Sequence, residues 1–151
     1  KRTGQGIFTF VNGDRYTGEF LDGEQNGTGT FTWKGGAVYE GSWKNNLQNG
    51  KGKYTWANGD IYDGEWKDGK MDGAGIMRQA DGVKFKGSFK AGLKEGYGIL
   101  EDSDGIRYEG TFREGQKDGE FVEKDRNGNL IRKVKYVNGL VESVSELTSA
   151  Q

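Results

Sequence analysis

The chain has 151 residues, of which only 32% are hydrophobic and 28 are glycine. One domain is expected at this length, and the small apolar content argues against a large closed core. The 22 basic and 23 acidic residues give a formal net charge of −1, which argues against nucleic acid and against an anionic membrane as purely electrostatic partners. There is no cysteine, so disulfides are excluded.

A period of 23 residues dominates the sequence. An aromatic residue recurs at this spacing, a glycine follows it after two positions, and a second aromatic residue follows after two more. The first aromatics are Tyr16, Tyr39, Tyr62, Phe85 and Tyr108, and the second are Phe20, Trp43, Trp66, Phe89 and Phe112. A fixed period of roughly 20–50 residues is typical of a stacked repeat architecture.

In chain order, the period predicts a partial repeat at 1–15, full repeats at 16–38, 39–61, 62–84, 85–107 and 108–130, and a degenerate repeat at 131–139. Each repeat has the pattern of a β-hairpin. In a strand such as 62–66, residues two apart share a face, so both rings and the glycine point the same way. Asn-Gly and Asp-Gly pairs such as Asn58-Gly59 predict tight turns with positive φ at both central positions.

The alternation of glycine with large rings predicts how the sheet packs. Glycine is normally avoided in strands, but a ring can lie flat over the bare backbone of a neighbouring strand. The predicted fold is therefore all-β, an elongated single-layer twisted antiparallel sheet of tandem β-hairpins. For residues 140–149 two interpretations stay open, a short helix that caps the terminal strand and a frayed tail, because Leu140, Val144 and Leu147 recur at helical spacing.

The repeat resembles the consensus of the MORN family, named for "membrane occupation and recognition nexus". The segment 62–75 carries the resemblance most completely, and it extends over residues 4–130. The resemblance implies a groove lined by the aromatic residues, no catalytic activity of the array itself, and binding to proteins, to phospholipids or to a second copy of the chain. It is also typical of scaffold proteins and of arrays appended to enzymes.

The chemistry of the residues favours a binding module over an enzyme. The chain contains no His and no Cys, so the usual nucleophile–base pairs and transition-metal ligands are missing. We expect no catalytic residue, no cofactor and no metal. The leading hypothesis is a scaffold module that binds an amphipathic helix or a peptide. A phospholipid-binding module and a targeting array for an enzyme outside this sequence remain alternatives. The expected location is cytoplasmic, with or without attachment to cytoskeleton or membrane.

Two sets of residues are predicted to make contacts. A one-layer sheet cannot cover all its rings, and an exposed apolar strip usually marks a binding site. The predicted partner groove consists of Tyr16, Phe20, Tyr39, Trp43, Tyr62, Trp66, Phe85, Phe89, Tyr108 and Phe112. The opposite face becomes apolar towards the C-terminus at Ile76, Tyr97, Ile99 and Val122. Either segment 140–149 covers these four residues, or they form a self-association surface of a homodimer.

Overall fold

A computed structural model describes residues 1–146 as one open, twisted sheet of thirteen antiparallel strands in chain order. The strands are β1 (Gly4–Thr9), β2 (Arg15–Leu21), β3 (Glu24–Thr32), β4 (Val38–Lys44), β5 (Leu47–Thr55), β6 (Ile61–Lys67), β7 (Lys70–Arg78), β8 (Lys84–Lys90), β9 (Leu93–Glu101), β10 (Arg107–Arg113), β11 (Gln116–Lys124), β12 (Leu130–Val137) and β13 (Leu140–Glu146). The predicted fold is confirmed. Residues 1–146 contain no helix, and so none that could cross a membrane.

The chain reverses direction through two kinds of tight turn. Asp22 and Gly23, between β2 and β3, both have positive φ, and the corresponding turns of later repeats share this geometry. At Asn58-Gly59 only the glycine has positive φ, whereas the Asn58 side chain accepts a hydrogen bond of 3.0 Å from the amide of Asp60. The prediction of two positive φ values was therefore wrong for the Asn-Gly pairs. A side-chain hydrogen bond stabilises that turn instead.

Rings cover glycines on one side of the sheet, which we call the ring face. The Tyr62 ring of β6 lies over Gly75 of β7, where an added Cβ would overlap the ring. The Tyr62 hydroxyl donates a hydrogen bond of 3.0 Å to the Glu65 carbonyl. Tyr16 and Tyr39 repeat both features in the two preceding repeats. The missing glycine side chain is thus the space that a tyrosine fills, as predicted.

Edge-to-face contacts join these rings into one continuous row, the aromatic ladder. Successive centroids lie 5.0–5.6 Å apart with interplanar angles of 81–88°, a favourable geometry for aromatic pairs. In spatial order the ladder consists of Phe20, Tyr16, Trp43, Tyr39, Trp66, Tyr62, Phe89, Phe85, Phe112, Phe121 and Tyr136. This row is the core of the molecule, since a single layer has no second sheet to pack against.

Near the C-terminus, a residue at a different position of the repeat supplies the ring of the ladder. Phe121 stands where earlier repeats have a glycine, and its ring covers Gly110 of the neighbouring strand. Phe121 is fully buried, whereas Tyr108 is only half-buried. The hydroxyl of Tyr108 donates 3.0 Å to Asp102 instead of to a backbone carbonyl. One large residue at a glycine position therefore displaces the tyrosine of the same repeat from the ladder.

The C-terminal segment is a strand over residues 140–146. Its register places Val144 opposite Val134 and Val141 opposite Tyr136. The prediction of a helix or a frayed tail is wrong for these residues, and 147–149 lie outside the described part of the chain. Because β13 extends the sheet edge, residues 140–146 do not fold back over the opposite face.

The ring-over-glycine packing predicts that Gly75→Ala destabilises the protein. The new Cβ must displace the Tyr62 ring, and overpacking of this kind costs about 1–3 kcal/mol. Urea unfolding followed by tryptophan fluorescence measures the change. The control is Gly35→Ala, since nothing lies within 4 Å of a Cβ there. Equal effects of the two substitutions would contradict the packing argument.

Candidate functional site

The ten rings predicted to line a groove lie on the ring face, but mostly beneath its surface. All of them except Tyr108 are buried. Trp43 and Trp66 each donate a hydrogen bond of 3.0 Å from Nε1 to a glycine carbonyl, Gly29 and Gly52. These rings therefore hold the sheet together and form the floor of the ring face. Their contact with a partner stays a prediction.

Other aromatic residues form the exposed part of the ring face. In the first three repeats they lie at the ends of β1, β3 and β5 as pairs two residues apart, Phe8 with Phe10, Phe31 with Trp33, and Tyr54 with Trp56, of which Phe31 is buried. Phe8 is 46% exposed, and Phe10, Trp33, Tyr54 and Trp56 are half-buried. Our site prediction missed them, although the spacing of two in a predicted strand places each pair on one face.

Two equivalent pockets lie between these exposed rings and the hairpin turns. The first has a volume of about 370 Å³ and the second of about 390 Å³. Their linings match at a distance of 46 residues, or two repeats: Phe8, Phe10, Phe20 and Gln25 of the first correspond to Tyr54, Trp56, Trp66 and Met71 of the second. Two repeats span four strand spacings, or about 19 Å. The ring face thus offers the same recess twice, in a line along the array.

The same register positions gain charged residues in the later repeats. Gln25, Gln48 and Met71 are followed by Lys94 and Lys117, each 23 residues further on. Phe10, Trp33 and Trp56 are followed by Gln79, Asp102 and Asp125. The ring face is therefore aromatic in its N-terminal half and charged in its C-terminal half.

Lys117 lies among three rings at the C-terminal end. Its Nζ is 4.1 Å from the centroid of Tyr108, 4.9 Å from that of Tyr136 and 5.7 Å from that of Phe121. Burial lowers the pKa of Lys117, and the charges of Glu123 and Asp102 partly oppose that effect.

An ion pair with a buried carboxylate lies in the same region. Glu123 is 3% exposed, its Oε1 lies 2.8 Å from Nε of Arg132, and its Oε2 has no hydrogen-bond partner among the described residues. The carboxylates of Glu123 and Asp102 therefore give the Lys117 ammonium nearby compensating charge.

The opposite face carries the second predicted set of residues. Ile76, Ile99 and Val122 are half-buried and Tyr97 is 60% exposed. The sheet register alternates the first three with Lys86 and Glu109 in one row across the strands. Their role in self-association stays a prediction.

Comparison with known proteins identifies the repeat. The family model described as MORN repeat matches residues 1–15, 16–38, 39–61, 62–84, 85–107 and 108–129. The chain belongs to the MORN repeat family. No curated protein matches it significantly.

A solved structure shares the fold of this MORN array. It is the TCP domain of SAS-4 (dCPAP) of Drosophila melanogaster, in complex with a proline-rich motif of Ana2 (dSTIL). The two are 17% identical, with a TM-score of 0.51 over 95% of this chain and 85% of that one. At this identity the likeness shows the fold alone. Within residues 1–146 of the MORN array, no group of three or more metal-ligating side chains occurs.

Burial of the ladder tyrosines alters their acidity. Desolvation raises the pKa of Tyr16 and of Tyr62 to about 12, and it raises the pKa of Tyr39 as well. In the unfolded chain tyrosine titrates near pH 10. Between about pH 10 and 12 the unfolded chain therefore loses protons that the folded MORN array keeps, and unfolding becomes more favourable. Burial also lowers the pKa of Lys94 and Lys117. The folded array therefore loses these protons first, which makes folding more favourable as pH rises, but this gain is complete near pH 10.5.

This linkage predicts a loss of stability in alkali. The midpoint of urea unfolding should fall steadily as pH rises from about 10.5 to 12. Tyr62→Phe removes one of the buried hydroxyls at a position where Phe85 shows that phenylalanine fits. The variant should lose about 1 kcal/mol at neutral pH, through the missing hydrogen bond, and should show a shallower alkaline slope. An unchanged slope would contradict the assignment of the effect to the ladder.

Proposed function

We propose that this MORN array is a non-enzymatic interaction module whose ring face binds an extended, proline-containing peptide. The observation that carries the proposal is the line of two equivalent aromatic pockets, with Phe10, Trp33, Tyr54 and Trp56 partly exposed beside them. Tyrosine and tryptophan are the residues that most often anchor interfaces. The lack of His and Cys supports the non-enzymatic part of the proposal.

The shape of the surface favours an extended peptide. A polyproline II helix rises about 3.1 Å per residue, so the roughly 19 Å between equivalent pockets corresponds to about six residues. Proline-rich segments typically dock in grooves lined by aromatic residues, since they lose little conformational entropy on binding. The proline-rich motif in the SAS-4 complex is a reason to test this class of peptide first. An amphipathic helix is the other occupant that the test distinguishes.

The test uses synthetic peptides and calorimetry. A proline-containing peptide with two apolar residues six positions apart should bind more tightly than the same peptide with the two residues three apart. A peptide that binds only when its residues have helical spacing, and that gains helical circular dichroism on binding, would instead identify the ring face as a helix site.

Alanine substitution of exposed rings should weaken that binding without unfolding the protein. Trp33→Ala and Trp56→Ala each remove a half-buried anchor, and loss of an anchor costs about 2 kcal/mol, or about 30-fold in Kd. Tyr97→Ala is the matched control, because Tyr97 is an exposed ring on the opposite face. If the tryptophan variants keep full affinity, or if Tyr97→Ala weakens binding equally, the ring face is not the site. Trp43 and Trp66 are unsuitable for this test because they belong to the core.

A further inference from the structure

Lys94 is the first charged residue at a register position that holds Gln25, Gln48 and Met71 in the preceding repeats. Its side chain is half-buried, and Nζ lies 5.2 Å from the centroid of the Phe85 ring. Among the described residues no carboxylate lies within salt-bridge distance of Lys94. The cation is therefore held over a ring in the floor of the ring face, with much of its hydration removed and no anion supplied by the chain.

The surroundings of Lys94 are neutral where those of Lys117 are not. The residues that correspond to the lining of the first pocket, 69 positions later, are Met77, Gln79, Phe89, Lys94 and Leu100. In the next repeat the corresponding lining includes Asp102 and Glu123, whose charges stabilise Lys117. Burial alone accounts for the lowered pKa of Lys94. Lys94 is thus a half-buried cation of the ring face without a carboxylate partner from the chain, and an external anion would stabilise its charge.

We propose that Lys94 is the binding site for an acidic side chain of the same peptide that occupies the two aromatic pockets. This inference rests on the proposed function and adds the chemical class of a third peptide residue and its distance from the two anchors. Lys94 lies one repeat beyond Met71 of the second pocket, or two strand spacings, about 10 Å. That distance corresponds to about three residues of polyproline II helix. The peptide therefore carries two apolar anchors six residues apart and a Glu or Asp about three residues beyond the second anchor.

The charges along the ring face decide which repeat receives the apolar part of the peptide and which receives its acidic residue. The first pocket offers aromatic surface and neutral amides and the second also has the exposed Lys70, whereas the Lys94 position offers a half-buried ammonium group on a ring. A peptide carboxylate placed over Lys94 attracts its ammonium group, and partial burial strengthens this attraction because the local dielectric constant is lower. The same carboxylate over the Lys117 position would meet Asp102 and Glu123. An acidic peptide residue is therefore accepted at one repeat and disfavoured at the next.

The experiment compares two peptides that differ at one residue. Both carry the two apolar anchors, and the third site is Glu in one peptide and Gln in the other. We expect the wild-type protein to bind the Glu peptide about tenfold more tightly in calorimetry at low salt. Lys94→Met should abolish this preference, and it should fold normally because Met71 occupies the same position one repeat earlier. Lys90→Met is the matched control, since Lys90 is an exposed cation on the opposite face of the neighbouring strand and its substitution removes the same charge.

The outcomes separate this inference from the proposed function. Equal affinity of both peptides for the wild type, or a Glu preference that survives Lys94→Met, overturns the role of Lys94 and leaves the peptide groove intact. Loss of the preference in Lys90→Met as well also overturns the role of Lys94, because the effect is then one of net charge. If neither peptide binds, both proposals fail. Vesicles of phosphatidylcholine and phosphatidylserine form a second arm, and binding to them that requires Lys94 without any Glu preference would overturn the inference in favour of a lipid surface.

Discussion

The contact between a ring and the bare backbone of a glycine is the constraint on which this structure depends. A single-layer sheet has no second layer, so a large side chain can be buried only within the thickness of its own face. Because Gly75 has no Cβ, the Tyr62 ring lies against backbone, and its hydroxyl reaches the Glu65 carbonyl. The Tyr62 ring also contacts the Trp66 indole on one side and the Phe89 ring on the other. The core is therefore a line one ring deep, which explains how a chain with 32% hydrophobic residues can fold.

A core of this kind divides the aromatic residues by depth. Rings paired with a glycine sink into the sheet, whereas rings without a glycine partner, such as Trp33 and Trp56, stay above it. The floor is therefore nearly the same in every repeat, and the residues above it are free to differ. The change from Gln25 and Met71 to Lys94 occurs at one register position, and the ladder beneath it stays continuous. Recognition chemistry can vary from repeat to repeat without disturbing the packing that supports it.

Periodicity predicted the hairpins, the strand order and the role of the glycines, because all three follow from side-chain alternation and from the space that glycine leaves. The alternation of side chains did not predict how deeply each ring is buried. Trp43 and Trp33 both point to the ring face, and it is the cross-strand neighbours that place Trp43 in the core and Trp33 above it. The C-terminal strand was missed because the spacing of Leu140, Val144 and Leu147 fits a helix. Pairing with β12 overrides that local pattern by placing Val144 against Val134. The turn at Asn58 was misjudged because its side chain, not a positive φ, satisfies the backbone.

The C-terminal repeats show how a polar site can arise from a change in the core. Phe121 fills the space over Gly110 that the tyrosine of the repeat would otherwise occupy, so Tyr108 leaves the ladder and its hydroxyl turns to Asp102. At the register position held by Met77 and Leu100 in the two preceding repeats, Glu123 stands here, paired with Arg132. Lys117 completes the group by lying over Tyr108 and Tyr136. The charge at this end is therefore coupled to the packing: a glycine restored at position 121 would leave no ring over Gly110 unless Tyr108 returned, and its hydrogen bond to Asp102 would be lost.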